Sequence, residues 1–316
     1  MRVTFTPSER DRVGYSPILS RPRIEWPGGK RMALWVAPNI EYYEYLPPPN
    51  TIRNPFPRAP HPDVMQYSWR DYGNRVGVWR LAELLDQYPV KVTASLNLAA
   101  VEHYPQLADL IRSRDWAVMS HGIYNTTLLA DMTESEERAF YRDSVDTVRR
   151  LFDQPLKGML GPCVTNTART MDLMAEAGLV YHADWVHDDQ PVPIDVRTGT
   201  LISVPYSYDL NDAIAFEGHF DGDYWVRQYC AHFDRLYAES EADGSGRVMV
   251  IPLHTYLAGQ PHTIGYLRDI LDYIRGFEDA MWYCTADEIA EHYLAHYAAP
   301  EQVHRATFTS IAEGRA

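Results

Sequence analysis

Residues 104–121 read YPQLADLIRSRDWAVMSH, and the reading of this stretch decides the fold. Its first part, YPQLADLIRSR (104–114), is read as a helix. WAVMSH (116–121) is a short apolar run of strand length that stops on a histidine. The same unit recurs on both sides. Upstream lie a buried strand RMALWVAPN (31–39) ending at Asn39, a helix NRVGVWRLAELLDQY (74–88) and a strand KVTASLN (91–97). Downstream, TESEERAFYRDSVDTVRRLF (133–152) is a helix opened by a capping box, Thr133 with Glu136. Then come a strand KGMLGP (157–162), a helix NTARTMDLMAEAG (166–178) closed by glycine, and a strand VYHADW (180–185). A less regular region holds the strand TLISVPYS (200–207) and leads to a helix at 222–240. After the polar linker ADGSGR, the strand VMVIPLH (248–254), helix 263–277, strand AMWYC (280–284) and helix 285–297 complete the pattern.

Strand–helix alternation of this kind means a parallel sheet covered by helices. No glycine-rich phosphate fingerprint follows the first strand, which argues against a dinucleotide-binding fold. The expectation is an α/β protein, a distorted (β/α) barrel with about seven parallel strands. Residues 1–30, proline-rich and aperiodic, are expected to wrap the body as an arm; residues 31–297 form one catalytic domain and 298–316 a tail. Residues 42–73, with YLPPPN and NPFPRAPHP, are read as a long functional loop able to close over a substrate.

Composition narrows the function classes. The chain has 316 residues, 46% hydrophobic and 23% charged, enough for a full core. A net charge of −14 disfavours nucleic acid and anionic membranes, which need a basic footprint. Three widely spaced cysteines, Cys163, Cys230 and Cys284, suggest thiols in or near the core rather than a disulfide framework. The apolar runs are too short to span a membrane, and the N-terminus lacks the apolar core of a signal peptide; the expected location is cytoplasmic.

In a barrel, polar residues at the C-terminal ends of strands are the ones to suspect. Those residues are Asn39 and Glu41 after the first strand, His121 with Asn125 after the third, Gly161-Pro162, Asp184-Trp185, and His254. A carboxylate or histidine can take a proton from water, a second histidine can give one to a leaving nitrogen, and amides can stabilise an oxyanion. Each also has a plain structural use: a hydrogen-bonded histidine, a turn-capping Asn125, a solvated Glu41. Arg70 and Asp71 in SWRDYGNRVG can be a simple salt bridge.

The segments RDYGNRVGVWRLAELLD, SHGIYNTTLL, GMLGP, DWVHDDQP and LHTYLAGQPH, in this order, resemble the polysaccharide deacetylase superfamily, and more closely its branch of cofactor-free allantoinases and cyclic imide hydrolases. The resemblance spans roughly residues 25–297 and implies the same distorted barrel. Sugar-deacetylating members end the first strand with two aspartates, a base and a metal ligand. Their third strand supplies a His-x-x-x-His pair and a late strand a histidine acid. Here the first motif reads APNIEYYEY, leaving Asn39 or Glu41 in the place of the base; the pair reads His121 and Asn125, and His254 stands as the late histidine.

The departure falls on the metal site. Glu41, His121 and Asn125 would be its ligands if a zinc ion were bound, but a neutral amide is a poor third ligand. Metal-free catalysis is favoured. The resemblance then implies a hydrolase of a non-peptide C–N bond in a small cyclic or linear amide. Glu41, His121, His254 and Asn39 would be catalytic, and Arg70, Asp71, Asn125, Pro162, Asp184 and Trp185 would bind substrate. A zinc-dependent N-deacetylase of an acetylated amino sugar and an inactive ligand-binding barrel are the alternatives. The partner is a small molecule, with no nucleic acid or membrane, and the resemblance suggests a homo-oligomer, dimer or tetramer. Tyr266, Tyr273, Tyr293 and Tyr297 either pack on the barrel or face another subunit.

Overall fold

The computed structural model describes residues 12–47, 62–218 and 221–297. Among the described residues nine strands form one curled sheet: β1 (Met32–Ile40), β2 (Thr93–Leu96), β3 (Ala117–Ser120), β4 (Gly158–Met159), β5 (Tyr181–His182), β6 (Val192–Ile194), β7 (Leu201–Ser203), β8 (Arg247–His254) and β9 (Met281–Tyr283). Their order is β6-β7-β5-β4-β3-β2-β1-β8, with β9 also paired to β1. Every pairing is parallel except β6 with β7. The sheet is therefore a half-barrel, not a closed one. At the seam, Val248 N of β8 donates to Asp189 O at 2.9 Å, so a loop rather than a strand bridges the gap.

The helices are α1 (Val64–Tyr72), α2 (Val78–Leu85), α3 (Leu98–His103), α4 (Pro105–Ser113), α5 (Glu134–Phe152), α6 (Thr170–Glu176), α7 (Asp212–Glu217), α8 (Gly222–Asp243), α9 (Ile264–Arg275) and α10 (Ala286–His296). The α5 capping box is formed as expected, with Thr133 and Glu136 each bonding the other's backbone.

Strand parity sorts the core into two layers, because successive side chains point to opposite faces. Even-numbered Met32, Leu34, Val36 and Ile40 pack under the helices. Odd-numbered Ala33, Trp35 and Ala37 fill the inside of the curl with Val248, Val250, Met119 and Tyr206. Asn39 and Glu41 continue the inner row.

Several expectations are corrected. Residues 64–73, read as loop, are helical because the Asp63 side chain caps Gln66 N at 3.3 Å and starts α1. The chain then passes through a π-helical turn, Gly73–Gly77, into α2. Helix α3, strand β6 and helix α7 were not anticipated. The expected lid segment within residues 48–61 and the tail at 298–316 lie outside the described residues.

The second half of the expected arm is built into the fold. Trp26 is 2% exposed and donates to Arg247 O at 3.1 Å, and Gly246 N donates to Ile24 O at 2.8 Å. The late tyrosines are engaged within the chain: the Tyr273 hydroxyl donates to Asp234 and the Tyr297 hydroxyl reaches Glu25. Of the cysteines, Cys284 is buried and Cys230 half-buried, but Cys163 is exposed on the rim of the cavity described below, against the expectation of a core thiol.

Candidate active site

The C-terminal ends of the strands open into a cavity of about 580 Å³. Asn39, Glu41, Arg70, His121, Asn125 and His254 all line it. Register explains the convergence. In the β1–β8 pair Asn39 lies opposite His254; Ile40 of β1 and Ser120 of β3 both lie level with Leu96 of β2, so Glu41 and His121 rise on either side of β2. The His121 amide donates to Leu96 O at 2.8 Å, which fixes where the ring begins.

Glu41 is 4% exposed. Its Oε1 stands 3.4 Å from His121 Nε2 and 3.6 Å from His254 Nε2, a carboxylate bracketed by two imidazoles. Burial alone would raise its pKa, but the His121 hydrogen bond and the charges of His254, His121 and Arg70 outweigh it and hold the group at about 2. Its second oxygen, Oε2, has no hydrogen-bond partner among the described residues.

His254 is held from behind. Its Nδ1 meets Asp212 Oδ1 at 2.7 Å, while Asp212 Oδ2 accepts the His254 and Ala258 amides. Burial would lower the pKa of this imidazole; Asp212, Glu41 and Glu217 overcome that and lift it to about 9. The ring is thus an imidazolium at neutral pH, with Nε2–H aimed at the cavity side. Asp212 is fully buried on α7, a helix that sequence reasoning missed. Its signal was an Asn-Asp pair, with Asn211 capping the helix by accepting from Ala213 N at 2.8 Å.

The other residues divide. Asn39 donates to Tyr206 Oη at 3.3 Å and to Leu253 O at 3.1 Å, leaving its Oδ1 without a partner among the described residues. Asn125 donates to the Tyr43 hydroxyl. Asp71 does not line the cavity: it pairs with Arg75 and accepts from Tyr104 Oη at 2.8 Å, bracing α1. Asp184 stands behind the wall, taking Gly161 N at 2.6 Å; burial pushes its carboxyl up to about 6. Pro162 is buried against Gly122, whose φ of +80° lets the backbone pass beneath the ring. Trp185 faces the arm, beside Arg12 and Arg21, and packs on His182 and His187. Cys163 and Val164 hold φ of 54° and 55°, strained values for side-chain-bearing residues, and both lie on the cavity.

The donor set does not fit a zinc ion. Among the described residues no three His, Cys, Asp or Glu side chains are placed to hold a metal. Glu41 and His121 supply two strong donors, short of the three a catalytic zinc takes from protein. His254 is engaged instead with two carboxylates, Nδ1 with Asp212 Oδ1 at 2.7 Å and Nε2 toward Glu41 Oε1 at 3.6 Å.

Residues 61–182 match the polysaccharide deacetylase family. That match covers 122 of the 316 residues. The similarity to known proteins extends beyond it. A Schizosaccharomyces pombe protein named as a candidate polysaccharide deacetylase is 25% identical over 261 residues, covering 77% of this chain and 80% of its own. The crystal structure of PuuE allantoinase has a TM-score of 0.77 at 24% identity, covering 92% of this chain and 99% of that one. A crystal structure from Pseudomonas aeruginosa PAO1, also a candidate polysaccharide deacetylase, has a TM-score of 0.75 at 24% identity over 87% and 95% of the two chains. These likenesses show that the half-barrel is that of the deacetylase domain's structural neighbours.

Proposed function

We propose that this chain hydrolyses a non-peptide C–N bond in a small cyclic or linear amide of the ureide or imide kind. The observation that carries the reading is Glu41 between two imidazoles, one of them kept protonated by Asp212. A cavity of about 580 Å³ suits a small molecule. The allantoinase likeness favours the same class.

The geometry supports one sequence of proton movements. Water on the cavity side of Glu41 attacks the substrate carbonyl carbon, giving its proton to Glu41. As the C–N bond breaks, the nitrogen takes the proton from His254 Nε2. A carboxylate with a pKa of about 2 is a weak base at rest. Its weakness comes partly from the positive charge on His254, so Glu41 gains basicity toward the water to the extent that His254 releases its proton to the nitrogen in the same step. Glu41 Oε1 and His254 Nε2 stand 3.6 Å apart, beyond a direct hydrogen bond, so the acquired proton returns to His254 through a water and resets both groups. Without a Lewis acid several kcal/mol of transition-state stabilisation must come from elsewhere. Activated amides such as imides and ureides narrow that gap; an unactivated acetamide does not.

The test is an assay of EDTA-treated protein against allantoin, hydantoins, succinimide and N-acetyl sugars. Turnover of the cyclic amides without added metal is expected. Turnover of acetyl sugars alone, and only with zinc, would instead select a metal-dependent N-deacetylase, the reading favoured by the names of the other relatives. Glu41→Gln and His254→Ala should each cut turnover by ~10²-fold or more. Ligand binding with no turnover in the parent chain would mark a binding-only barrel.

A further inference from the structure

We propose that the substrate carries a second oxygen acceptor, a carbonyl or a carboxylate besides the carbonyl attacked, and that Arg70 binds it. The inference rests on the hydrolytic reading only for which carbonyl reacts. Arg70 comes from α1, is 3% exposed and lines the cavity. Its guanidinium lies 4.8, 4.9 and 5.0 Å from the ring centres of Tyr43, Trp69 and Tyr256, three aromatic faces that hold it. Among the described residues, Nε and Nη1 have no hydrogen-bond partner. Nη2 faces Glu217 at 3.7 Å, beyond hydrogen-bond range, and the guanidinium shares one side-chain hydrogen bond with Tyr43.

Burying a guanidinium with two of its three nitrogens unpartnered is costly. That cost is offset when a ligand oxygen enters the planar fork, the geometry in which arginine is strongest. The same cavity has the opposite need elsewhere. Asn39 Oδ1 and Glu41 Oε2 are buried acceptors without partners among the described residues, ready for an N–H. A ligand that answers both needs has an N–H beside more than one oxygen. Imides and ureides have this arrangement; a simple lactam lacks the second oxygen.

Arg70 also contributes to the low pKa of Glu41, so a substitution alone would confuse binding with electrostatics. The decisive comparison therefore uses ligands on the unaltered chain. Isothermal titration calorimetry would compare 2-pyrrolidinone with succinimide, the same ring with a second carbonyl, and with succinamate, which carries a carboxylate. Turnover is read separately as continuing heat. We expect succinimide or succinamate to bind about 10- to 100-fold tighter than 2-pyrrolidinone, the range for a hydrogen bond to a charged group. A preference for succinamate identifies an anion, a preference for succinimide a second carbonyl. Arg70→Met should erase the preference, read as the ratio of the affinities within that variant, and Arg70→Lys should restore part of it. Equal binding of all three, including none, overturns the inference, as does an Arg70→Met protein that keeps the preference. Hydrolysis without preference leaves the proposed reaction standing and removes this inference; preference without hydrolysis does the reverse.

Discussion

The chemistry at single residues turns on how far the fold moves two pKa values apart. His254 is lifted to about 9 and Glu41 lowered to about 2, so acid and base coexist over a wide pH range. If His254 is the proton donor, its charged form is present below pH 9 and lost as pH rises through that value. The pH profile of kcat/KM should therefore fall on an alkaline limb near 9. Asp212→Asn removes the charge that helps raise the imidazole, and the limb should move down toward the ordinary histidine value of about 6.5. A limb that stays near 9 in that variant would show that Asp212 does not tune the acid. Asp184 gives a stability prediction with the opposite character. Burial raises its pKa to about 6, so its charged form is disfavoured in the folded chain. Its contribution is fully favourable below about pH 3.8 and is lost as pH rises through 6. Asp184→Asn keeps an acceptor for Gly161 N without the charge. Its stability relative to the parent should improve between pH 4 and pH 8 by an amount on the order of 1–3 kcal/mol, measured by urea denaturation at both pH values. A constant difference across that range would mean that Asp184 stays neutral or is solvated.

At the scale of elements, the segment RDYGNRVG shows what a sequence reveals and what it withholds. Its glycines looked like a loop end and the start of a helix. In the fold they form a π-helical turn packed face to face with the chain just beyond His254. A Cβ at Gly77 would collide with Thr255 O, and one at Gly73 with the Thr255 side chain. The turn thus sets the position of Thr255 and Tyr256, and through them of Arg70 and His254. Gly77→Ala should cost about 1–3 kcal/mol by overpacking and lower kcat by more than it lowers the fraction folded. Circular dichroism paired with kcat on the folded fraction separates the two effects. Strand–helix alternation made the layered fold legible, and strand ends made Glu41, His121 and His254 legible. The open seam was not, because closure depends on one loop bond from Val248 to Asp189 that no periodicity marks. Asp212 was not legible either. A six-residue helix carries too few repeats to show amphipathic spacing, and the partner of its carboxylate lies 42 positions away. Asp71 misled because an Arg-Asp dipeptide says nothing of direction: Arg70 turns into the cavity, while Asp71 turns to Arg75 and Tyr104.

For the whole molecule, stability and the cavity are set at opposite ends of the half-barrel. The inner layer runs from Val248 and Trp35 at its base up to Asn39 and His254, which line the cavity. Trp26 covers that base. Its indole lies against Gly246, where a Cβ would collide with the ring, and 5.4 Å from Trp282. Arg21 with Asp188 at 2.6 Å, and Arg12 with Asp172 at 2.8 Å, fix the preceding chain along the body. Trp26→Ala removes a fully buried aromatic and an indole hydrogen bond, a loss of about 3–5 kcal/mol. The expected result is a lower urea midpoint with an unchanged slope, because the surface exposed on unfolding barely changes. KM measured well below the midpoint should stay at the parent value, since Trp26 sits at the strand N-termini and the cavity at their C-termini. A chain beginning at residue 31 should lose at least as much stability as Trp26→Ala. If it kept the parent midpoint, residues 21–30 would be a separable arm after all, and the inner layer would be closed by the strands alone.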